Sequence, residues 1–300
     1  MDLTNKSEIK LLLKKYNTKP EKYLGQHFIL SKNALKKMVE AAKIKENDTI
    51  IEIGPGLGTL TQELSKTGAK IIAIEKDSLM ILILKETLSG YKNVKIIQAD
   101  ARQLSPDLLT SDVNKIGDKM RISVGGDRYK IVANLPYNIA TFLIRSWLES
   151  KNPPKIMVLM IQKEVAQRIC PPSLKLRRAG AKSLKLNLLS TSVQFYADAK
   201  IIGYVPKESF YPQPKVDAAI IKIVPKKKPS AKAAKRFFWV VKAGFSSPRK
   251  QLAGNLSKNL KISKEEIISV FKSLDIPRQI RAENLSLSQW QNLAFRLIHN

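Results

Sequence analysis

Short apolar runs alternate with amphipathic stretches over the first 160 residues, and this alternation constrains the fold more than any other feature. The apolar runs are residues 49–53, 70–74, 94–98, 130–133 and 156–161. Strand–helix–strand units of this kind build a parallel sheet with helices on both faces. We therefore predict an α/β fold with a doubly wound, mostly parallel sheet.

The later chain has a different character. Residues 188–196, 199–205 and 217–224 are apolar and β-branched, and they predict further strands, antiparallel at the sheet edge. Beyond residue 225 the spacing of apolar residues is helical, with no strand signal. Residues 105–129 are predicted to be an irregular insertion before the fourth strand.

These patterns divide the chain into three parts. Residues 1–23 are polar and predict a loosely held arm. Residues 24–225 contain the predicted sheet and form the largest expected domain. Residues 226–300 are predicted to be a small all-α domain, with helices at 233–245, 248–260, 264–273 and 286–298.

The charge of the chain indicates a polyanionic partner. Lys and Arg number 53 against 25 Asp and Glu, a net charge of +28. Such an excess favours nucleic acid or an anionic membrane surface, although a lysine-rich proteome would explain part of it. The single Cys170 fits a reducing cytoplasm, and with only His27 and His299 beside it no zinc cluster is expected. No secretory signal or membrane-length apolar run is visible, so we expect a soluble cytoplasmic protein.

Three successive strand ends carry groups that suit a nucleotide-like ligand. The first is the glycine turn Glu52-Ile53-Gly54-Pro55-Gly56-Leu57-Gly58, which permits close backbone approach but is also compatible with a turn that binds nothing. Glu75, at the second strand end, is placed to hydrogen-bond a ribose diol, or is an ordinary solvated acid. Asp100, at the third, suits an adenine amine, or an Asx turn or cap.

The fourth strand ends in Asn134-Leu135-Pro136-Tyr137. Pro136 fixes its own φ and disfavours the helical region for Leu135, so the chain turns in extended geometry. An amide, free backbone carbonyls and an aromatic ring are suited to holding a nucleobase, although an ordinary Asn-x-Pro turn has the same composition. Carboxyl ends of neighbouring strands share one crevice, where such folds bind ligands. A dehydrogenase would account for the glycine turn and Glu75 but not for this fourth strand end.

Several motifs in order resemble the ribosomal RNA adenine dimethylases. They are Gly25–Leu30 (GQHFIL), Glu52–Gly58 (EIGPGLG), Asn134–Asn138 (NLPYN), Gln162–Ala166 (QKEVA), Phe210–Asp217 (FYPQPKVD) and Ala243–Ser246 (AGFS). The resemblance covers roughly residues 20 to 298. One departure is the segment 176–192, which differs from the usual pattern; only residues 192–198 resemble it. This puts in doubt how that loop approaches RNA.

The resemblance implies a fold, a cofactor and a site. The fold is the Rossmann-like class I S-adenosylmethionine methyltransferase, and no metal is implied. The implied cofactor-binding residues are His27, Ile29, Gly54, Gly56, Glu75, Asp100 and Asn134. His27 is expected to contact the cofactor rather than act as a general base.

The resemblance also implies a reaction. The side-chain carbonyl of Asn134 and the backbone carbonyl of Leu135 or Pro136 would accept the hydrogens of an adenine N6 amine. Tyr137 would stack on the base. Phe210 is a candidate for its opposite face, or packs the proline-rich turn. The expected substrate is two adjacent adenines in a hairpin loop near the 3′ end of small-subunit rRNA, with the protein acting as a monomer.

Two acid-free tracts, 165–197 and 218–264, contain many Lys and Arg residues. Charge runs are usually solvated faces, but an RNA substrate favours phosphate contact. Two alternatives remain open from sequence: a large-subunit rRNA adenine methylase of the antibiotic-resistance type, and a ribosome-assembly factor with little turnover.

Overall fold

The computed structural model describes residues 1–21, 25–103, 109–110, 122–123, 129–137, 139–170, 186–227 and 229–299. By internal contacts the chain forms two compact units, one of residues 1–166 with 198–225 and one of residues 167–197 with 226–300. Of the described residues, 167–170 and 186–197 group with the C-terminal helices, whereas the limits drawn from sequence place them with the predicted sheet.

All the β-strands of the structure belong, within the described ranges, to the first unit. In chain order they are β1 (Phe28–Ile29), β2 (Thr49–Ile53), β3 (Lys70–Glu75), β4 (Val94–Gln98), β5 (Leu109–Thr110), β6 (Ile122–Ser123), β7 (Tyr129–Asn134), β8 (Met157–Gln162), β9 (Ala197–Val205), β10 (Phe210–Tyr211) and β11 (Ala218–Pro225). Seven of them form one sheet in the order β4-β3-β2-β7-β8-β11-β9. β1 pairs with β10 and β5 with β6 in separate two-stranded sheets.

The sheet confirms the predicted α/β class. β4, β3, β2, β7 and β8 run parallel, and β11 is antiparallel to β8. The chain builds outward from β2 to β3 and β4, and then returns to place β7 on the other side of β2. The strand order therefore reverses between β2 and β7, which is where open α/β sheets bind ligands.

Six helices begin in the first unit: α1 (Lys6–Lys15), α2 (Lys32–Ala42), α3 (Thr59–Ser65), α4 (Ser78–Thr87), α5 (Ala140–Glu149) and α6 (Lys163–Ile169). α2 begins after Ser31, whose hydroxyl accepts a hydrogen bond from the backbone N–H of Ala34. The core between α2, α3 and the sheet includes Leu35, Met38, Leu64, Ile71 and Val158.

The prediction of a loosely held arm at residues 1–23 is wrong for the residues described. Asn5 caps α1, whose Ile9, Leu12 and Leu13 are buried against a cluster that includes Phe28 and Met80. The lysines of this segment hid an amphipathic helix with an apolar stripe at i, i+3 and i+4. Residues 22–24 of the predicted arm lie outside the described residues.

The second unit is helical, with α7 (Leu188–Tyr196), α8 (Ala231–Gly244), α9 (Leu252–Leu260), α10 (Lys264–Ser273) and α11 (Leu287–His299). The last four confirm the predicted helices. α7 corrects the strand predicted at 188–196, because Asn187 and Ser190 form a reciprocal capping box that starts a helix in spite of the β-branched residues.

Aromatic packing and one close approach define this helical core. Phe195 stacks on Phe237 with ring centroids 4.2 Å apart. A Cβ on Gly244 would overlap the Trp290 ring and lie 2.8 Å from Leu252 Cδ1, so this position requires glycine. Within the described ranges, no helix is both long and apolar enough to cross a bilayer.

Candidate active site

A cavity of about 320 Å³ lies at the carboxyl ends of the parallel strands, on both sides of the point where the strand order reverses. It brings together eight of the residues predicted from sequence: His27, Ile29, Gly54, Gly56, Glu75, Asp100, Asn134 and Pro136. Leu135, Tyr137 and Phe210 do not line it. The convergence of strand ends inferred from the sequence is thus present in the fold.

The glycine turn after β2 lets the fourth strand end come close. Gly54 and Gly56 have φ of 64° and 59°, a region that L side chains rarely adopt. A Cβ on Gly54 would lie 3.5 Å from Pro136 Cδ, and one on Gly25 would lie 3.4 Å from Pro136 Cβ. The Pro136 ring therefore fits between two residues that lack side chains, which holds the turn after β7 against the cavity.

Asn134 at the end of β7 is oriented by a backbone carbonyl. Its Nδ2 donates a hydrogen bond of 3.2 Å to the carbonyl oxygen of His27. A carbonyl oxygen accepts only, so the nitrogen of the amide must face it and Oδ1 must point elsewhere. The side-chain acceptor of Asn134 is thereby left available for a ligand.

His27 is held by its ring as well as its backbone. Its Nδ1 lies 2.7 Å from the carbonyl oxygen of Pro212, so the ring carries a proton on Nδ1 and donates it there. The ring also stacks against Tyr137, with centroids 6.1 Å apart and an angle of 28° between the planes. These contacts fix the histidine as a wall of the cavity.

The two candidate carbonyls of the turn differ in their engagement. The Pro136 carbonyl accepts a hydrogen bond from the backbone N–H of Ile139 at 3.2 Å. Leu135 is buried, and its N–H donates to the carbonyl of Met160 at 3.1 Å. Among the described residues no donor is bonded to the Leu135 carbonyl, which favours it over that of Pro136 as an acceptor for a ligand.

Glu75 is a buried carboxylate at the end of β3. Its Oε1 accepts hydrogen bonds from the backbone N–H of Lys76 at 2.7 Å and of Asp77 at 2.9 Å. Burial raises the pKa of Glu75, and the neighbouring backbone N–H groups oppose that effect. With one oxygen held by the backbone, the other is available to the cavity that Glu75 lines.

Asp100 lines the cavity but is already paired. Its Oδ2 lies 2.6 Å from Arg102 Nη2 and 3.1 Å from Lys76 Nζ. These cations, with Arg102 the stronger, hold the pKa of Asp100 well below its usual range. Both partners are more than half exposed, so each is able to swing aside if a ligand takes the carboxylate.

Glu52 is a cavity residue that sequence reasoning left out of the site. It is 1% exposed in the apolar strand β2, and its Oε2 has no hydrogen-bond partner among the described residues. Burial raises the pKa of Glu52 to about 8, with a smaller contribution from the charge of Glu75. The nearby Thr61 hydroxyl lowers the pKa in part, although it does not bond to Oε2. An acid inside an otherwise apolar run was the signal that identifies it.

Phe210 corrects the predicted site. Its ring is 4% exposed and belongs to the core cluster of α2 and the sheet, while its backbone pairs with Ile29 across β1 and β10. No base can stack on a ring so enclosed. The alternative of a packing role, which the sequence left open, is the one the structure supports.

A family model confirms the resemblance. The model described as "Ribosomal RNA adenine dimethylase" matches residues 17–298. The chain belongs to this family. It is therefore an S-adenosylmethionine-dependent enzyme that dimethylates adenine in ribosomal RNA.

Relatives and solved structures agree with membership of the family. "Ribosomal RNA small subunit methyltransferase A" of Dehalococcoides mccartyi strain CBDB1 is 38% identical over 297 residues, covering 98% of this chain and 94% of the relative. The protein of that name from Bacillus licheniformis is also 38% identical, covering 99% of this chain and 97% of the relative.

Two crystal structures match at the level of the fold. A dimethyladenosine transferase from Plasmodium falciparum has a TM-score of 0.67 and 26% identity, covering 90% of this chain and 97% of that one. The 23S rRNA methyltransferase ErmE has a TM-score of 0.68 and 20% identity, covering 90% and 99%, and at that identity it supports the fold alone.

The cavity of this dimethylase fits its methyl donor. S-Adenosylmethionine carries a sulfonium and an ammonium group, both cationic, together with a ribose and an adenine. Glu52, Glu75 and Asp100 give the cavity acidic walls, and the unpartnered Glu52 Oε2 is a buried acceptor without a donor. A cationic ligand would supply a counter-charge to the buried Glu52 and Glu75, whereas Asp100 already has one in Arg102 and Lys76.

Proposed function

We propose that this dimethylase modifies the N6 amines of two adjacent adenines in a hairpin loop near the 3′ end of small-subunit rRNA, during small-subunit biogenesis. Support for the small subunit comes from the names and high coverage of the curated relatives. The observation that carries the chemistry is the fixed orientation of Asn134, whose Nδ2 is tied to His27 and whose Oδ1 is left for the substrate amine.

Asn134 and Leu135 are the residues we assign to activation of the amine. The lone pair of an adenine N6 amine is delocalised into the ring, so the nitrogen is a poor nucleophile. Asn134 Oδ1 and the Leu135 carbonyl would each accept one amine hydrogen, which draws the nitrogen toward tetrahedral geometry. Acceptors held in place before the reaction stabilise the developing charge without reorganisation.

Tyr137 and Pro136 are assigned to holding the base. Tyr137 is half-buried and its ring is fixed against His27. Stacking on an aromatic ring contributes about 1–3 kcal/mol per base. The target adenine must leave its own stack to reach the cavity, which costs least in a loop.

The remaining cavity residues are assigned to the cofactor, which when bound supplies an electrophilic methyl group. Glu75 would bind the ribose hydroxyls through the oxygen not held by Lys76 and Asp77. Asp100 would accept a hydrogen bond from the cofactor's adenine amine, which would replace its ion pair with Arg102. Gly54 and Gly56 allow close backbone approach, and His27 and Ile29 close one wall.

The helical unit is proposed to contribute phosphate contacts. The acid-free tract 218–264 includes the exposed Lys258 and Arg249. The basic residues 175–185 of the other tract lie outside the described residues. We further propose that the enzyme acts as a monomer in the cytoplasm, the compartment of the ribosomal substrate.

One experiment tests the proposal. The protein is incubated with labelled S-adenosylmethionine and undermethylated small or large subunits, and the modified adenines are mapped by mass spectrometry. Two adjacent dimethyladenines near the 3′ end of small-subunit RNA are expected. Label in large-subunit RNA alone would refute the proposal, and tight binding of small subunits without label would indicate an assembly factor.

A further inference from the structure

A second cavity in the first unit, of about 490 Å³, has no role in the chemistry described above. Its walls are α1, the segment that follows α1, and the ring of Tyr211, and the residues that matter here are Lys10, Lys14, Lys19, Glu21 and Tyr211. We call it the α1 groove. Its charged lining residues are three lysines and one acid, whereas the cofactor cavity is lined by four acids together with Lys76 and Arg102.

One face of α1 carries a row of lysines, two of which, Lys10 and Lys14, line this groove. Lys6, Lys10 and Lys14 are spaced by four residues, so their side chains lie above one another on one face of the helix. All three are exposed, and within the described residues none forms a salt bridge. Lys15 of the same helix, by contrast, is paired with Glu86 at 2.7 Å. The row therefore offers three uncompensated positive charges.

Tyr211 holds two of these ammonium groups in place. Lys6 Nζ lies 5.5 Å and Lys10 Nζ 5.9 Å from the centroid of its ring. Tyr211 itself packs against the cluster that includes Phe28 and Leu13. The ring is thus anchored on the protein side while cations lie over it, an arrangement that orders side chains otherwise free in solution.

The groove is connected to the reaction centre through the backbone. Tyr211 pairs with Phe28 across β1 and β10, next to His27. The carbonyl of Pro212, which follows Tyr211, accepts a hydrogen bond from His27 Nδ1. The carbonyl of His27 in turn orients Asn134. The path from Tyr211 through Pro212 and His27 to Asn134 thus links the groove to the residue that we assign to the substrate amine.

We propose that the α1 groove binds the sugar–phosphate backbone of the single-stranded RNA that flanks the target adenine. The inference deepens the proposed function by naming a second contact for the substrate, and it depends only on the substrate being RNA. Lys6, Lys10 and Lys14 supply the charge, and Tyr211 sets the position of the first two. A phosphate backbone is the polyanion whose repeating charge matches a row of lysines along a helix.

The test compares two variants with equal loss of charge. Lys10→Gln/Lys14→Gln removes two groove cations. Lys45→Gln/Lys92→Gln is the matched control, because both residues are exposed and precede β2 and β4, at the edge of the sheet opposite the cofactor cavity. Glutamine and lysine have similar helix propensities, so α1 is expected to stay folded. Circular dichroism checks this before binding is measured.

The probe is an oligoribonucleotide that contains the target hairpin with its flanking single strands. The groove variant is expected to bind it about tenfold more weakly at low salt, and the slope of log K against log salt should fall by about 1.4, at roughly 0.7 per lost contact. Turnover at saturating RNA and the KM for S-adenosylmethionine should stay within twofold of wild type. The control pair should leave the slope unchanged.

Three outcomes would overturn the inference. Equal losses in both pairs would mean a general charge effect. A loss on ribosomal particles but not on the naked oligonucleotide would mean that the groove contacts a protein. A fall in turnover without weaker binding would mean a structural role. If wild type labels only large-subunit RNA, the proposed function fails, and the same comparison is then made on that RNA.

Discussion

The cofactor cavity and the α1 groove belong to one unit yet use charge in opposite ways. The cavity contains Glu52 and Glu75, which are 1% and 9% exposed. The groove contains Lys10 and Lys14, which are exposed to solvent. Buried charges interact strongly and are screened little, whereas exposed charges act over a Debye length of about 8–10 Å and weaken with salt.

This difference separates two kinds of recognition. The cavity is built to select one cationic small molecule by contacts that require desolvation. On our proposals, the groove attracts any phosphate backbone, and the choice of base is left to Asn134 and Tyr137. A net charge of +28 therefore describes the surface that faces RNA and hides an acidic site that faces the cofactor.

Asn134 lies where the two ligands meet, and its loss should have the largest effect. Asn134→Ala removes the acceptor for the substrate amine without changing either set of charges. Turnover is expected to fall about 10²–10³-fold or more, the usual cost of deleting a preorganised polar group at the reacting atom. Single-turnover methylation of small subunits measures this.

Binding controls show whether the effect of that substitution is local. Equilibrium affinities of Asn134→Ala for S-adenosylmethionine and for RNA should stay within about threefold of wild type, because the substitution changes neither the acids of the cavity nor the lysines of the groove. Activity within tenfold of wild type would mean that Asn134 does not polarise the amine.

The sequence predicted which strand ends form the cavity better than how the turn after β7 packs against it, for a physical reason. Gly54, Glu75 and Asn134 each follow an apolar strand, and parallel strands bring their carboxyl ends to one edge whatever the details of packing. The position of Pro136 between Gly25 and Gly54 depends on contacts across more than 80 residues and had no local signal.

The misses share a different cause. Burial decides the role of Phe210, and sequence cannot distinguish an aromatic ring in a core from one in a pocket. In α1, lysines are as numerous as the apolar residues, so composition indicated an arm although Ile9, Leu12 and Leu13 form a buried stripe. At α7, the capping box formed by Asn187 starts a helix although the β-branched residues favour a strand.

Glu75→Gln should affect the cavity side of the comparison alone. It keeps the shape of the side chain but removes the charge that would accept the ribose hydroxyls. Hydrogen bonds to charged groups are worth about 1.5–3 kcal/mol, so the affinity for S-adenosylmethionine should fall about 10- to 100-fold. RNA affinity and its salt slope should not change.

The matched control for that variant is Glu63→Gln, which removes an acid paired with Lys66 on the exposed face of α3. Isothermal titration with each ligand separates the two. Equal cofactor affinities in Glu75→Gln and Glu63→Gln would remove Glu75 from the site.

Glu52→Gln should have the smallest effect on catalysis and a visible effect on stability. The folded-state pKa of about 8 lies above the ordinary 4.5, so the native protein keeps a proton that the unfolded chain has lost. The stability linked to Glu52 is fully present below about pH 4.5 and is lost as pH rises toward 8, at up to about 1.4 kcal/mol per pH unit.

Glutamine cannot ionise, so the free energy of urea unfolding should depend less on pH between 5 and 8 in Glu52→Gln than in the wild type. Some slope remains, because burial raises the pKa of Glu75 in the same direction. Parallel profiles would mean that Glu52 titrates normally and would contradict its raised pKa.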